Sequence, residues 1–213
     1  MINQIPGHAD RGLASSGRIC LKKPHMGTTY ANITLKGPKA QDILQELGNQ
    51  GRSAFVSPTQ DGLTTIYEMD SDEGDHAILV DLAEDLSGYF GCPALAVQTV
   101  EDELFRYWLY ADGELLDTYT SQSQDDAAKF RAPGGKPELL AQLFNTDATK
   151  EEIVEVLCPD QDCGSSLAVD RHLGLVELLG LPMCSVGFGF CDLDSGEYPE
   201  DLDEEDLLRV DAE

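Results

Sequence analysis

Positive charge is what this sequence lacks most. Its 14 Lys and Arg face 40 Asp and Glu, giving a formal charge of −26. Nucleic acids and anionic lipids are held through clustered Lys and Arg, so this scarcity argues against both as partners. Long apolar runs are also missing. None approaches the ~20 residues that span a bilayer, and no signal-peptide core follows the first residues. These absences point to a cytoplasmic protein off the membrane, with its six cysteines as reduced thiols.

Catalytic signatures are absent as well. The chain has no G-x-S-x-G, no H-E-x-x-H and no paired His–Cys signature. Gly187-Phe188-Gly189 is too short for a phosphate-binding turn. His172 sits at the edge of an apolar helical stripe, where a base would have only Asp170 and Arg171 beside it. Cys158, Cys163, Cys184 and Cys191 could in principle surround zinc with His172. Their x4 and x6 spacings do not match the ribbons and fingers, and Cys184 and Cys191 fall in or beside an apolar segment. Two acidic loops, at Asp70–Asp75 and Asp192–Gly196, reach their glycine one residue too early for an EF-hand and read as surface turns. No cofactor and no metal are expected, and an enzyme is the least supported function class.

What is present is charge segregation and regular patterning. Residues 1–25 carry Arg11, Arg18, Lys22 and Lys23 against Asp10, show no periodicity, and read as a disordered arm. Met26 directly precedes the first regular segment, as it would if translation began there. From Thr28 the order is strand, helix, strand, strand, helix, strand. The strands are expected at Thr29–Leu35, Ser53–Ser57, Leu63–Glu68 and Ala94–Val100. One helix follows Pro38 with Ala40, Ile43, Leu44 and Leu47 inward. The other is capped by Asp75 and carries Ile78, Leu79, Leu82, Leu86 and Tyr89 on its apolar 3.6-period face. That β-α-β-β-α-β order predicts the ferredoxin-like split βαβ arrangement of an α+β protein over residues 26–121.

A hairpin is appended to it. Asp112-Gly113 is a strong type I′ signal, because both turn positions need φ > 0. A two-residue loop pairs Tyr110 with Leu115, Trp108 with Asp117 and Arg106 with Tyr119. On that register Arg106, Trp108, Tyr110, Asp117 and Tyr119 share one face, a candidate surface for a planar or cationic ligand or a protein partner. The same face could instead pack under the C-terminal helices, with Arg106 paired to Asp117.

Residues 122–136 read as a polar linker, and 137–193 as a more helical, degenerate second half. Leu139, Leu140, Leu143 and Phe144 form one stripe, and Thr149-x-x-Glu152 is a capping box. Residues 167–193 echo 78–104 without a gap. Leu86, Gly91 and Pro93 lie over Leu175, Gly180 and Pro182, which predicts a helix, a glycine stop and a strand at Cys184–Phe190. Residues 194–213 form an acidic tail, whose Leu202, Leu207, Leu208 and Val210 predict one docked turn of helix.

The run Phe105–Tyr119, with Ala168–His172 and Leu178–Pro182, resembles stretches in a broad group of small bacterial hypothetical proteins. In that group an aromatic hairpin precedes a helical half ending in Leu-Gly-Leu-Pro. The resemblance covers about residues 28–210 and implies an architecture, with no activity and no catalytic residues to carry over. Two functions stay open from the residues themselves. One is a non-catalytic protein whose acidic surface meets a basic protein, such as a toxin or nuclease that it neutralises. The other is a small-ligand-binding regulatory module using the face around Arg106 and Trp108.

Overall fold

The computed structural model describes residues 27–73, 76–121, 135–144, 146–157 and 167–212. The arm, most of the linker, Cys158, Cys163 and the expected N-cap Asp75 lie outside the described residues. Within them the chain forms strands β1 (Tyr30–Lys36), β2 (Ala54–Val56), β3 (Leu63–Glu68), β4 (Ala94–Val100), β5 (Leu104–Ala111), β6 (Glu114–Thr120) and β7 (Leu208–Val210). The helices are α1 (Ala40–Asn49), α2 (His76–Phe90), α3 (Pro137–Phe144), α4 (Lys150–Leu157), α5 (Ala168–Leu179) and α6 (Phe190–Asp194). The strands make one seven-stranded antiparallel sheet in the order β6-β5-β4-β1-β3-β2-β7. The protein is therefore α+β. Among the described residues no helix is long and apolar enough to cross a membrane.

Both faces of this sheet are covered, and strand alternation decides which side chain meets which layer. On one face Ala31, Ile33 and Leu35 of β1, Ile66 of β3 and Ala94 and Ala96 of β4 pack under Ile43 and Leu47 of α1 and Leu79, Leu82 and Leu86 of α2. The small alanines of β4 let α2 lie close. Each fully buried Leu or Ile contributes about 1.5–3 kcal/mol. On the other face Leu95, Val97, Phe105, Tyr107 and Leu109 pack under Leu140 of α3, Ile153 of α4 and Leu175 and Val176 of α5. A smaller cluster joins Phe55 and Tyr67 to Phe190 and Leu193. The helical second half thus shares the core of the sheet.

Helix ends follow local chemistry. The Thr149 hydroxyl and the Glu152 carboxylate cap each other's backbone N–H at the start of α4, as the capping box requires. α2 and α5 both stop at a left-handed glycine, Gly91 (φ 58°) and Gly180 (φ 64°). The echo between the two halves ends there. Pro93 leads into β4, whereas Pro182 leads into a 3₁₀ turn at Met183–Ser185 and then α6, so the strand expected at Cys184–Phe190 does not form. The reason is visible in its carbonyls. Asn32 Nδ2 donates to Ser185 O (2.6 Å) and Phe188 O (3.1 Å), and the Tyr67 hydroxyl donates to Cys184 O (2.8 Å). Side chains rising from the sheet take the acceptors that a strand ladder would have used.

The acidic tail also differs from expectation. Leu208–Val210 is a strand paired to β2, with Leu208 and Val210 against the α1 side and Arg209 on the opposite face. Period-two alternation, rather than a helical turn, is what lets the two apolar residues reach one core while Arg209 stays outside.

One close approach can be tested. A side chain at Gly189 would overlap the Asp72 carboxylate, which accepts from Ala31 N (3.1 Å) and Cys191 N (2.9 Å). Gly189→Ala is expected to lower unfolding free energy by about 2 kcal/mol in urea titrations. An unchanged midpoint would show that Asp72 does not tie the C-terminal segment to the sheet.

Candidate functional site

The hairpin is closed as its turn residues require, with Asp112 at φ 53° and Gly113 at φ 78°. Ala111 pairs with Glu114 and Tyr110 with Leu115, the register a two-residue loop dictates. The register then shifts. Leu109 pairs with Asp117, Trp108 with Thr118, Tyr107 with Tyr119 and Arg106 with Thr120. Leu116 is the extra residue of a β-bulge, and one extra residue turns every later side chain to the opposite face. The five residues expected to share a face are therefore divided. Arg106, Trp108 and Tyr110 lie on the α1/α2 side of the sheet, and Asp117 and Tyr119 lie under α3 and α4.

On the inner side the residues are architectural. Asp117 is buried and accepts from the Tyr107 hydroxyl (2.7 Å) and from Lys136 N (2.6 Å), where the chain returns to begin α3. The expected Arg106–Asp117 pair is replaced by these bonds. Burial and the neighbouring Asp117 push the Tyr107 hydroxyl well above its usual range. The Tyr119 hydroxyl donates to Leu157 O, and its ring stacks on Tyr107.

The outer side is different. Tyr110 is in the core, but Trp108 is half-buried and its indole is stacked by His76, centroids 5.6 Å apart and planes 7° from parallel. Arg106 is half-buried two residues away. Among the described residues its guanidinium has no hydrogen-bond or ion-pair partner, whereas Arg52 holds Glu68, Lys150 holds Glu138 and Arg209 holds Asp194 and Asp211. Thr118, exposed, and Thr120 stand opposite Trp108 and Arg106 on β6.

The other candidates resolve into structural roles. His172 is 1% exposed. Its Nδ1 meets the Tyr30 hydroxyl at 2.7 Å, and the rings of Tyr30 and Phe105 flank it. Burial holds its pKa down at about 3, so it is neutral. Asp170 and Arg171 do not face it: Asp170 accepts from Leu167 N, and Arg171 donates to Val156 O. Among the described residues no group of His, Cys, Asp and Glu could hold a metal ion. Cys92 and Cys184 are buried free thiols, while Cys191 is disulfide-bonded, which corrects the expectation of six reduced cysteines. The acidic loops turn inward, Asp72 toward β1 and α6 and Asp192 onto Gly189 N (2.8 Å).

Two features carried no sequence signal. One is a half-open cleft of about 520 Å³ beside β2 and β7, lined by Phe55, Asp194, Tyr198, Glu204 and Arg209. Arg209 lies 4.9 Å over the Phe55 ring there. The other is the outer layer of α1 and α2, which carries Asp42, Glu46, Asp81, Glu84 and Asp85 and no Lys or Arg. Gly88 meets Gly113 backbone to backbone, which sets the acidic hairpin tip, Asp112 and Glu114, beside α2. Tyr89, expected on the apolar face, is instead 64% exposed at that end of α2, past the last residues that the sheet covers. Its hydroxyl is raised above its ordinary range by the Glu46 carboxylate of α1.

The buried histidine has a measurable consequence. Unfolding frees His172 to bind a proton near its ordinary pKa of about 6.5, whereas the folded state takes none until about pH 3. The unfolded state thus binds more protons in that window, and stability must fall as pH falls through it. The limiting slope is about 1.4 kcal/mol per pH unit. Compared with His172→Leu in paired urea titrations from pH 7 to 5, wild type is expected to lose this extra increment. Parallel curves would place the histidine in contact with water.

No protein-family model, no curated protein and no solved structure matches the chain.

Proposed function

We propose that this chain is a non-catalytic acidic protein that captures a basic protein on the outer face of α1 and α2, carried on a ferredoxin-like scaffold. Its β4-β1-β3-β2 strand order and β-α-β-β-α-β connectivity support that scaffold reading. The observation that carries the function is the composition of the two-helix layer. Five exposed or half-exposed carboxylates stand on α1 and α2 with no cation in either helix. Asp112 and Glu114 extend the field past the end of α2, and exposed Tyr89 supplies an aromatic contact within it.

Packing does not demand this arrangement, because the buried sides of both helices are already apolar. Like charges on neighbouring helices cost stability through self-repulsion. A cationic partner removes that cost on binding. Long-range attraction speeds the encounter, and salt weakens it, since the Debye length is only ~8 Å at physiological ionic strength. A cationic enzyme whose active cleft is occluded by this face fits the chemistry.

Charge reversal separates the face from the net charge. Lys in place of Asp42, Glu46, Asp81, Glu84 and Asp85 is expected to weaken capture of a basic protein at least tenfold in a salt-gradient pull-down. The same number of reversals at exposed Glu151, Glu155, Glu177, Glu200 and Glu205 is expected to leave most of it intact. Equal losses in both variants would reduce the attraction to bulk charge, and an empty wild-type column would remove the reading.

A further inference from the structure

Arg106 is out of place on this surface. With 40 acids to 14 bases, a guanidinium near solvent would be expected to find a carboxylate, yet Arg106 has none among the described residues. The bulge explains why the described residues of the hairpin offer it none. In the uninterrupted register Asp117 would stand opposite Trp108 and diagonal to Arg106, within reach of a long side chain. The extra residue Leu116 turns Asp117 to the inner face and puts Thr118 and Thr120, which carry no charge, in those places. Among the described residues this leaves a cation unneutralised beside an aromatic pair, Trp108 and His76, whose rings are nearly parallel.

We propose that Arg106, Trp108 and His76 form a binding site for a small planar monoanion of the aromatic-carboxylate class. The carboxylate takes the guanidinium fork in a bidentate, charge-assisted pair. The ligand ring lies against the indole–imidazole pair, and the exposed Thr118 hydroxyl stands opposite Trp108 as a neutral donor. A polyanion such as a nucleotide is disfavoured, because each added charge works against the field of a chain at −26. A neutral ring gains the stacking but forgoes the ion pair, so the site discriminates by charge as well as shape. This inference is independent of basic-protein capture: it uses the outer hairpin rather than the carboxylates of the helices.

Trp108 is the chain's single tryptophan, so its emission reports the site directly. The full chain is titrated with 4-nitrobenzoate and with 4-nitrobenzamide, equal in shape and differing in charge. Saturable quenching by the acid, with the amide at least tenfold weaker, is the expected result, tenfold being about 1.4 kcal/mol. Arg106→Gln is expected to erase the difference while leaving circular dichroism unchanged, since the guanidinium makes no hydrogen bond or ion pair among the described residues. Thr118→Asp restores a carboxylate opposite Trp108 and is expected to erase it too. Linear, non-saturating quenching of equal slope for acid and amide would overturn the site. So would a preference for the acid that survives both substitutions in folded protein.

Discussion

A β-sheet with seven strands and polar side chains on one of its buried faces needs partners for those side chains as well as an apolar cover. That requirement organises the rest of the molecule. On the α1/α2 side, β1 presents Ala31, Ile33 and Leu35, and two amphipathic helices suffice. On the other side it presents Tyr30, Asn32 and Thr34, all buried. Apolar helices alone would strand these groups at about 1–3 kcal/mol each. The C-terminal half answers with His172 for Tyr30 and with the carbonyls of Ser185 and Phe188 for Asn32. Irregular backbone over the sheet is therefore the solution chosen here, because a regular element there would have its carbonyls already bonded.

The first half of the fold was legible for the same physical reason. Its elements bury one apolar stripe each, so the 2.0 and 3.6 periods write themselves into residues 29–100. The Asp112-Gly113 turn was legible because positive φ restricts residue choice. The strand at Leu208–Val210 is too short for its alternation to stand out from a helical turn of similar composition. The region after Pro182 misled for a different reason. It repeats the helix-ending chemistry of Gly91-Cys92-Pro93, which governs how a helix stops and says nothing of what the chain does next. What followed was decided by Asn32 and Tyr67, distant in sequence and invisible to any local pattern.

The candidate site shows the sharpest limit. Residue types on the hairpin were read correctly and their grouping was not, because a bulge at Leu116 has no glycine or proline to announce it. Tertiary demand accounts for it. Tyr119 has to reach Leu157 and Tyr107, and Asp117 has to receive Lys136 N where α3 begins, so both must face inward. Without the extra residue they would stand on the α2 side, and β6 would offer its exposed threonines to the core.

The same inserted residue has a second consequence on the outer face, and the two consequences share one cause. Moving Asp117 inward satisfies a helix start and a tyrosine; it also removes the carboxylate that would have neutralised Arg106. A chain so rich in acid has many ways to replace it, and position 118 could have carried one at no cost to packing, since Thr118 is exposed. A neutral threonine there leaves the guanidinium without a carboxylate among the described residues. Among the described residues the other guanidinium groups all have partners: Arg52 holds Glu68, Arg171 the end of α4, and Arg209 two aspartates. The contrast separates the two sides of the molecule's electrostatics. The outer layer of α1 and α2 carries only carboxylates as its charged groups within the two helices, which is where a cationic partner is proposed, whereas the hairpin holds a positive charge beside an aromatic plane, which is where a small anion is proposed.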